Sequence, residues 1–336
     1  MRYFARLVVA LAPLLCGLFF AACSRSEPTG RPKLVLYLSA DDALYRPLLA
    51  DFERQTRIRV STVGDTEATK TFGLVRRLLD EQSHPQADLF WASEPLGMIR
   101  LARANLLKPL AGDRRWLPLA YRARVIVYHT GRIDSAHAPR RLGDLLDPEL
   151  KGKIGLARPQ FGTTRTHMAA LLAEFGEERY LQFLRALKSN GARIYDGNSM
   201  VVQAVAQGEI SAGLTDSDDV ASGKAERWPI DWKGGTAELA ASPPGDASGA
   251  ILLMPHVIGI IKREDASPDR LAAQDSLVAF LRSPSTQKAF VDSGAALCGW
   301  DAVGTVPGPI ALPDYANVAA DELRAVELFE KVWAEP

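Results

Sequence analysis

Lys33-Leu-Val-Leu-Tyr-Leu-Ser39 decides the fold together with the segments that follow it, Leu49-Ala-Asp-Phe-Glu-Arg-Gln-Thr56 and Ile58-Arg-Val60. The first run is short and apolar, which is typical of a strand buried on both faces of a sheet. Residues 44–55 carry apolar side chains at helical spacing, and residues 58–63 form a second apolar run. The sequence therefore predicts a strand, a helix and a second strand, the unit from which parallel sheets are built.

The same alternation continues along the chain. Further strands are predicted at residues 88–91, 121–128, 153–156, 192–195, 210–214 and 256–261. Further helices are predicted at residues 70–81, 166–175, 177–190, 200–207, 268–281, 285–292 and 318–334, with one more that begins at Pro95 and is capped by Ser93-Glu94. This order predicts an α/β chain with a mostly parallel sheet and helices on both faces. Strand 121–128 is long enough to cross between two domains, and strand 256–261 is expected to return to the first.

The first 22 residues have the pattern of a secretion signal. Arg2 and Arg6 precede an apolar run, Leu7–Ala22, which ends in Phe20-Ala-Ala-Cys23. The alternative is an uncleaved membrane anchor, but the run is shorter than the roughly 20 residues that a spanning helix needs. The small-small-Cys ending resembles a bacterial lipobox. We therefore expect a signal peptide at 1–22 and a lipidated Cys23 with a polar tether at 23–32.

Charge and cysteine content exclude several classes of protein. Lys plus Arg number 40, as do Asp plus Glu; removal of Arg2 and Arg6 leaves 38 basic and 40 acidic residues, with no basic excess for nucleic acid. Cys16 leaves with the signal and Cys23 carries the lipid, so Cys298 remains alone. The mature chain can form no internal disulfide and no thiolate metal cluster. We expect Cys298 to be a small buried apolar residue.

No catalytic motif is present in the sequence. The five histidines show neither His-x-x-x-His nor His-Glu-x-x-His spacing, and there is no Gly-x-Ser-x-Gly elbow, P-loop or dinucleotide loop. Glu67 and Glu94 alone leave a paired-carboxylate hydrolase open, but carboxylates are also expected in a binding cleft. The sequence therefore predicts a protein that is not an enzyme and has no cofactor.

The order of these segments resembles the two-lobed bacterial extracellular solute-binding proteins, in particular the family that includes the ferric-iron-binding proteins of ABC importers. Besides the opening segments, the resemblance rests on Pro85-Gln-Ala-Asp-Leu-Phe-Trp91, Ala104-Asn-Leu-Leu-Lys-Pro109, Arg122-Ala-Arg-Val-Ile-Val-Tyr128, Val205-Ala-Gln-Gly-Glu-Ile210, Gly213-Leu-Thr-Asp216 and Phe280-Leu-Arg-Ser-Pro-Ser285. It spans residues 33 to about 300. It implies a two-lobed, periplasmic-binding-protein-like fold of type II, with strands that cross at a hinge.

The resemblance also implies an arrangement and a role. Lobe 1 is expected to comprise residues 31–127 and 250–292, and lobe 2 residues 128–249 and 293–336. The protein would be a monomer in the periplasm or cell envelope, lipid-anchored to a membrane, and would deliver a small ligand to an ABC permease and its ATPase. An alternative is a ligand sensor for a membrane receptor, which would have the same fold.

Polar residues that follow the strands are the candidates for the cleft, because ligands of open α/β sheets bind beyond the carboxyl ends of strands. From lobe 1 they are Ser39, Asp41, Asp42, Thr66, Glu67, Trp91 and Glu94. From lobe 2 they are Thr163, Thr164, Arg165, Asn198, Ser199, Asp216, Asp218 and Asp219.

Two opposite chemistries are present in this set. The helix starts at Thr163-Thr164 and Asn198-Ser199 favour an anion. Five carboxylates, those of Asp42, Glu67, Glu94, Asp216 and Asp218, favour a hard cation, Fe³⁺ or Ca²⁺, as a bound ligand. The predicted metal ligands are Asp42, Glu94, Asp216 and Asp218. One ligand could satisfy both chemistries, either a metal with a bound oxyanion or a small zwitterionic or phosphonate-type solute.

Several candidates also have a purely structural interpretation. Asp41, Asp42, Ser93, Asn198 and Ser199 suit helix N-caps, Glu67 could pair with Lys70, and Asp218-Asp219 could form a solvated turn. Arg165 could bind an anionic ligand, pair with a carboxylate across the cleft or lie exposed. His167 is expected on a helix surface, and Trp91 in either the core or the cleft. Many iron-binding members of the family carry a Tyr-Tyr pair where this chain has Asp216-Ser-Asp-Asp219, which weakens the expectation of iron.

Overall fold

Eleven strands and nine α-helices make up the part of the chain that the computed structural model describes, residues 33–40, 42–64, 72–160, 162–237 and 249–336, with only the backbone described at 42 and 43. The strands are β1 (Lys33–Leu38), β2 (Arg59–Gly64), β3 (Leu89–Ala92), β4 (Leu117–His129), β5 (Ile154–Ala157), β6 (Arg193–Tyr195), β7 (Ala212–Asp216), β8 (Ile230–Trp232), β9 (Ile251–Ile260), β10 (Cys298–Gly299) and β11 (Ile310–Ala311). The helices are α1 (Asp42–Thr56), α2 (Phe72–Asp80), α3 (Pro95–Arg103), α4 (Gly162–Ser189), α5 (Asn198–Ala206), α6 (Ser217–Ala225), α7 (Pro268–Leu281), α8 (Pro284–Asp292) and α9 (Tyr315–Ala334).

The strands form one continuous sheet in the order β2-β1-β3-β9-β4-β7-β5-β6, with β8 and β10 paired to β4 and β11 paired to β9. Both ends of the sheet are parallel, β2-β1-β3 at one end and β7-β5-β6 at the other. The centre is antiparallel, because β9 runs against β3 and β4, and β4 against β7. The prediction of a mostly parallel sheet is therefore wrong at the centre, where long strands join the two parallel ends.

The two central strands tie the chain together. β4 has 13 residues and β9 has 10, and all ten residues of β9 are buried. β9 starts at Ile251, earlier than predicted, and includes Pro255, a residue type that sequence patterns place outside central strands. The pairing of β9 with β3 confirms that this strand returns to the first series of elements.

Helix α4 is two helices joined at Gly176, whose φ of 72° and ψ of 165° break the helical geometry. Glycine is the residue that tolerates a positive φ without steric cost. The two predicted helices at 166–175 and 177–190 are thus confirmed, with Gly176 as their joint. The last helix, α9, packs along α4 and also contacts α3.

The prediction for Cys298 is confirmed, because this residue is buried, as expected of a small apolar side chain.

Helix α6 was missed by the sequence analysis, because its residues 217–225 are mostly small or polar and show no apolar stripe. None of the helices in the described ranges is both long and apolar enough to cross a membrane.

Candidate functional site

Three helices begin around one carboxylate, that of Asp216 at the end of β7. Thr163, the second residue of α4, donates from Oγ1 to Asp216 Oδ2 at 2.5 Å. Asn198, the first residue of α5, donates from Nδ2 to the same oxygen at 3.0 Å. Asp216 is itself the N-cap of α6 and forms a reciprocal capping box with Asp219. Four of the site residues predicted for lobe 2, Thr163, Asn198, Asp216 and Asp219, are therefore close together in space.

Two arginines of β4 face this carboxylate. Arg124 Nη1 donates to Asp216 Oδ1 at 2.9 Å, and Arg122 Nη2 lies 3.7 Å from Asp216 Oδ2. The Arg124 side chain is 0% exposed and that of Asp216 is 2% exposed. Arg122 and Arg124 are two residues apart in a strand, so their side chains point to the same face of the sheet. Further hydrogen bonds from Thr163 and Asn198 satisfy the Asp216 carboxylate, which offsets part of the cost of burying this ion pair.

Arg122 also connects the start of α6 to the end of β3. Its Nη2 donates to the backbone oxygen of Ser93 at 2.8 Å, and its Nη1 donates to Asp218 Oδ2 at 2.5 Å. Ser93 lies just after β3, in predicted lobe 1, and Asp218 lies in α6, in predicted lobe 2. One guanidinium therefore joins the two halves of the predicted cleft.

Burial and charge act in opposite directions on these groups. Burial by itself raises the pKa of Asp216, but Arg122 and Arg124 outweigh it and hold that pKa at about 2. Burial lowers the pKa of Arg122, and the three aspartates at 216, 218 and 219 outweigh this and raise it. Asp216 is therefore ionised and Arg122 is charged at neutral pH.

The three aspartates form an acidic cluster. Carboxylate oxygens of Asp216, Asp218 and Asp219 all lie within 4.8 Å of one another, close enough to share one cation. Asp219 Oδ2 accepts a hydrogen bond from Thr215 Oγ1 at 2.9 Å. Asp218 and Asp219 therefore belong to the first turn of a helix, and the interpretation as a solvated turn is wrong.

Glu94, the predicted acid from lobe 1, caps α3. Its carboxylate accepts hydrogen bonds from the backbone nitrogens of Leu96 at 2.6 Å and Gly97 at 3.2 Å, and Pro95 occupies the first helical position. Thr166 Oγ1 of α4 donates to Glu94 Oε2 at 3.0 Å. Burial raises the pKa of Glu94, and these hydrogen bonds oppose that rise. The predicted cap is confirmed at Glu94, the interpretation of Ser93 as the N-cap is wrong, and the Glu94 carboxylate also reaches α4.

Arg165 pairs with a carboxylate, but one that belongs to the same predicted lobe and not to the other side of the cleft. Its Nε donates to Glu322 Oε2 of α9 at 3.1 Å. The other Glu322 oxygen accepts a hydrogen bond from Arg100 of α3. Both guanidiniums also lie over the Phe72 ring, at 5.3 Å for Arg100 and 5.6 Å for Arg165. Glu322 thus binds an arginine from each side of the predicted cleft.

The remaining predicted residues are distributed as follows. Asp41, Thr66 and Glu67 lie outside the described residues, as does the side chain of Asp42. Ser39 Oγ accepts a hydrogen bond from the Ser93 nitrogen at 3.2 Å, so the ends of β1 and β3 meet.

Thr164 Oγ1 donates to Asn198 Oδ1 at 3.1 Å, and Ser199 is exposed in the first turn of α5. The N-cap of α5 is Gly197, so the interpretation of Asn198 or Ser199 as that cap is wrong.

Two aromatic residues are buried deeper than a cleft position requires. Trp91 is fully buried and packs against Phe290 with ring centroids 5.7 Å apart, so it has the core role that the sequence offered as one alternative. His167 was expected on a helix surface and is instead 0% exposed. Its Nε2 lies 3.0 Å from the backbone oxygen of Thr236, and burial together with Arg124 lowers its pKa to about 3. The expectation for His167 is wrong because most residues of α4 between Thr163 and Phe175 are buried, which leaves this stretch without a long exposed face.

Sequence reasoning missed Arg122, Arg124, Arg100 and Glu322 as residues of the site. One signal was present for two of them. Arg122-Ala-Arg124 places two cations on one face of a strand that is otherwise apolar, and charged residues are almost never fully buried unless they are paired. Nothing in the local sequence marks Glu322, which is one of several acids on an amphipathic helix.

A family model described as bacterial extracellular solute-binding protein matches residues 34–295. The chain belongs to this family. The resemblance noted from the sequence is thereby confirmed for the bacterial extracellular solute-binding proteins. The match covers β1 through α8, which includes every described residue of the site except Glu322.

Two relatives of this solute-binding protein are named for the binding of ferric iron. The Fe(3+)-binding periplasmic protein of Serratia marcescens is 30% identical over 221 residues, 61% of this chain and 62% of that protein. The major ferric iron-binding protein of Neisseria meningitidis is 30% identical over 178 residues, 48% of this chain and 52% of that protein. The chain thus spans between half and two thirds of the length of these relatives.

Solved structures confirm the fold of the solute-binding protein. Iron-bound HitA from Pseudomonas aeruginosa superposes with a TM-score of 0.74 and 23% identity, over 90% of this chain and 99% of that one. The predicted α/β fold of the periplasmic-binding-protein type is therefore confirmed. At this identity the likeness concerns the fold and not the ligand.

Proposed function

We propose that this chain is the substrate-binding component of an ABC importer and that it captures ferric iron between lobe 1 and lobe 2. The Serratia and Neisseria relatives are named for ferric iron, which supports ferric iron as the ligand of this chain. The observation that carries the proposal is the acidic cluster at the start of α6, where three carboxylates have oxygens within 4.8 Å of one another. Fe³⁺ is a hard cation that takes oxygen ligands, and Ca²⁺ would accept the same ligands less specifically.

Asp218 and Asp219 are the carboxylates of this cluster that we assign to the metal. Asp216 is engaged by Arg124, Thr163 and Asn198 and holds the cluster in place. Asp218 would exchange its bond to Arg122 for the cation. Asp42 and Glu94 remain our candidates on lobe 1, and Glu94 would have to leave Thr166 to act as a ligand. Of the other predicted ligand contacts, Ser39, Thr163, Thr164, Asn198 and Ser199 would line the same cleft, whereas Trp91 lies in the core.

Closure of the two lobes would couple binding to transport. A ligand that contacts both lobes stabilises the closed form through contacts that the open form lacks. The closed form would then deliver its cargo to a permease powered by an ATPase, and the chain itself would act as a monomer without catalysis. We place it in the periplasm, as the names of its relatives suggest, with a lipid anchor on Cys23. Mass analysis of the mature N-terminus tests the anchor, and an unmodified Cys23 would contradict it.

A thermal titration tests the proposal directly. Fe³⁺ supplied as a weak chelate should raise the Tm of the wild-type protein, since a ligand that binds only the folded state stabilises it by mass action. The variant D218N/D219N should lose that rise. The matched control is D196N, which removes a carboxylate from an exposed pair with Arg158. No rise with Fe³⁺ in the wild type would end the iron proposal, and an equal rise with Ca²⁺ alone would replace iron with a less selective cation.

One observation favours a second candidate, a small zwitterionic or phosphonate-type solute. Among the described residues, Arg122 Nε, Arg124 Nε and Arg124 Nη2 are buried and have no hydrogen-bond acceptor. Buried guanidinium N–H groups normally have one, so an acid group on the solute would complete them. A Tm rise with 2-aminoethylphosphonate, in the absence of any metal, would favour this candidate over iron.

A further inference from the structure

We infer that Asp216 is a built-in anion that fills the oxyanion position of the cleft, so that the solute binds without a companion oxyanion. The sequence alone predicted that the helix starts of lobe 2 would attract an anion and that a metal would bring one with it. The structure supplies an anion from the chain. The part of this inference that concerns the solute rests on the proposed function, and the part that concerns Asp216 does not.

The position of Asp216 is that of an anion site. α4 and α5 each donate to its carboxylate through a side chain of their first turn, from Thr163 Oγ1 and Asn198 Nδ2. α6 starts at Asp216 itself. Helix N-termini carry partial positive charge and backbone N–H groups without intrahelical partners, which is why phosphates and carboxylates bind there. Three such termini meet at one group.

Two arginines, Arg122 and Arg124, add whole positive charges to the partial charges of the helix termini. Arg124 binds Asp216 Oδ1 at 2.9 Å, and Arg122 Nη2 lies 3.7 Å from Oδ2. An ionised carboxylate has about four lone-pair positions. Thr163, Asn198 and Arg124 donate to three of these positions, and the backbone N–H of Asp219 donates to the fourth through the capping box. The Arg122 guanidinium lies beside them. An added oxyanion would have to displace Asp216 to reach the same donors.

The charge count agrees with this role. Asp216, Asp218 and Asp219 carry three negative charges against the two positive charges of Arg122 and Arg124, so the cluster stays acidic while its oxyanion position is filled. A cation can therefore bind at Asp218 and Asp219 beside an anion that never dissociates. An exogenous oxyanion, in contrast, would depend on the concentration of that ion in the surroundings.

Chemical rescue tests the inference. Asp216→Ser removes the charge, keeps a residue that caps helices well, and leaves room for a small anion beside Arg124, which has two N–H groups without acceptors among the described residues. We expect D216S to lower the Tm by about 6–10 °C, because a buried cation loses its partner. Formate should restore at least half of that loss, and chloride at the same ionic strength should not. D196A, at an exposed ion pair, should show no rescue.

Each outcome bears on Asp216 or on iron separately. Rescue of D216S by formate supports the inference even if the wild type fails to bind Fe³⁺, which would contradict only the proposed function. If D216S folds and formate does not raise its Tm, the inference is overturned.

The wild-type protein provides a measurement that needs no variant. Its Tm should not respond to 10 mM phosphate or bicarbonate in the absence of metal, and a rise of more than about 2 °C would show that the oxyanion position is open.

Discussion

Glu94 and Thr166 are 72 residues apart in the chain and are joined by a hydrogen bond of 3.0 Å between Oγ1 of the threonine and Oε2 of the glutamate. Glu94 caps α3, which follows β3 at one end of the sheet, and Thr166 lies in the first turns of α4, which follows β5 at the other. A carboxylate that completes one helix therefore also binds the start of another. In the proposed two-lobed arrangement, this bond crosses the cleft.

The raised pKa of Glu94 predicts a specific dependence of stability on pH. Burial favours the neutral acid, so Glu94 keeps its proton in the folded protein at pH values where an ordinary glutamate of the unfolded chain, with a pKa of about 4.3, has released it. The free energy of unfolding should therefore fall as pH rises from about 4.3 through the raised pKa. Glu94→Gln cannot ionise and should lack this fall. Urea unfolding of both proteins between pH 4 and 8 measures it, and curves that run parallel would contradict the prediction.

Loss of Glu322 should weaken the contact between α3, α4 and α9. Glu322 is 8% exposed and binds both Arg100 and Arg165, so Glu322→Gln leaves two guanidiniums without their counter-ion. We expect a loss of about 1–3 kcal/mol in the free energy of unfolding. The control is Glu327→Gln on the same helix, whose pair with Arg324 is exposed and should contribute less than about 0.5 kcal/mol. Equal losses in urea unfolding would show that the bridge by Glu322 adds nothing.

His167 should make the protein sensitive to mild acid. Its pKa is lowered from 6.5 to about 3 in the folded protein, so its contribution to stability is complete above pH 6.5 and is lost as pH falls toward 3. Between pH 7 and pH 5 the loss should be about 2 kcal/mol. His167→Gln preserves a donor toward the Thr236 oxygen and does not titrate. Its stability should be flatter over this range, and a slope equal to that of the wild type would show that another group titrates.

Arg124 and Asp216 should show strong coupling in a double-mutant cycle. Arg124→Met or Asp216→Asn alone leaves a buried partner without its counter-charge, and each should cost about 3–5 kcal/mol. The double variant removes both charges and should cost less than the sum by about 2 kcal/mol or more. Urea unfolding of the four proteins gives the coupling energy. Additive losses would mean that the two charges are stabilised independently, by the helix termini and by other acids.

Most elements of the fold could be predicted from periodicity. The spacing of apolar residues predicted α7 at residues 268–281 and the break in α4 at Gly176, since both depend on side chains that are neighbours in the chain. Helix α6 escaped prediction because its stability comes from caps and tertiary contacts and not from an apolar stripe. The antiparallel centre of the sheet also escaped, because strand direction depends on where β4 and β9 lie and not on their composition.

The site was predictable in its residue types and not in its pairings. The rule that ligands bind beyond strand ends selected Thr163, Asn198 and Asp216, and these residues do contact one another. The same rule overlooked Arg122 and Arg124, because they lie inside a strand and face the site from the side. Trp91 lies inside β3, the strand that precedes Glu94, and its side chain packs in the core against Phe290.

The sequence alone determines that this protein is an α/β chain of the solute-binding type. It also determines that acids and helix starts lie at the ends of its strands. The α/β pattern and the acids at the strand ends follow from the local spacing of residues, whereas the solute-binding type is what the resemblance to that family implied. Only the tertiary structure decided that Asp216 is surrounded by Arg124, Thr163 and Asn198, and that Glu322 holds arginines from two other helices. The reason is physical: the partner of a buried charge is whatever group the fold brings within a few ångströms, and chain distance carries no information about it.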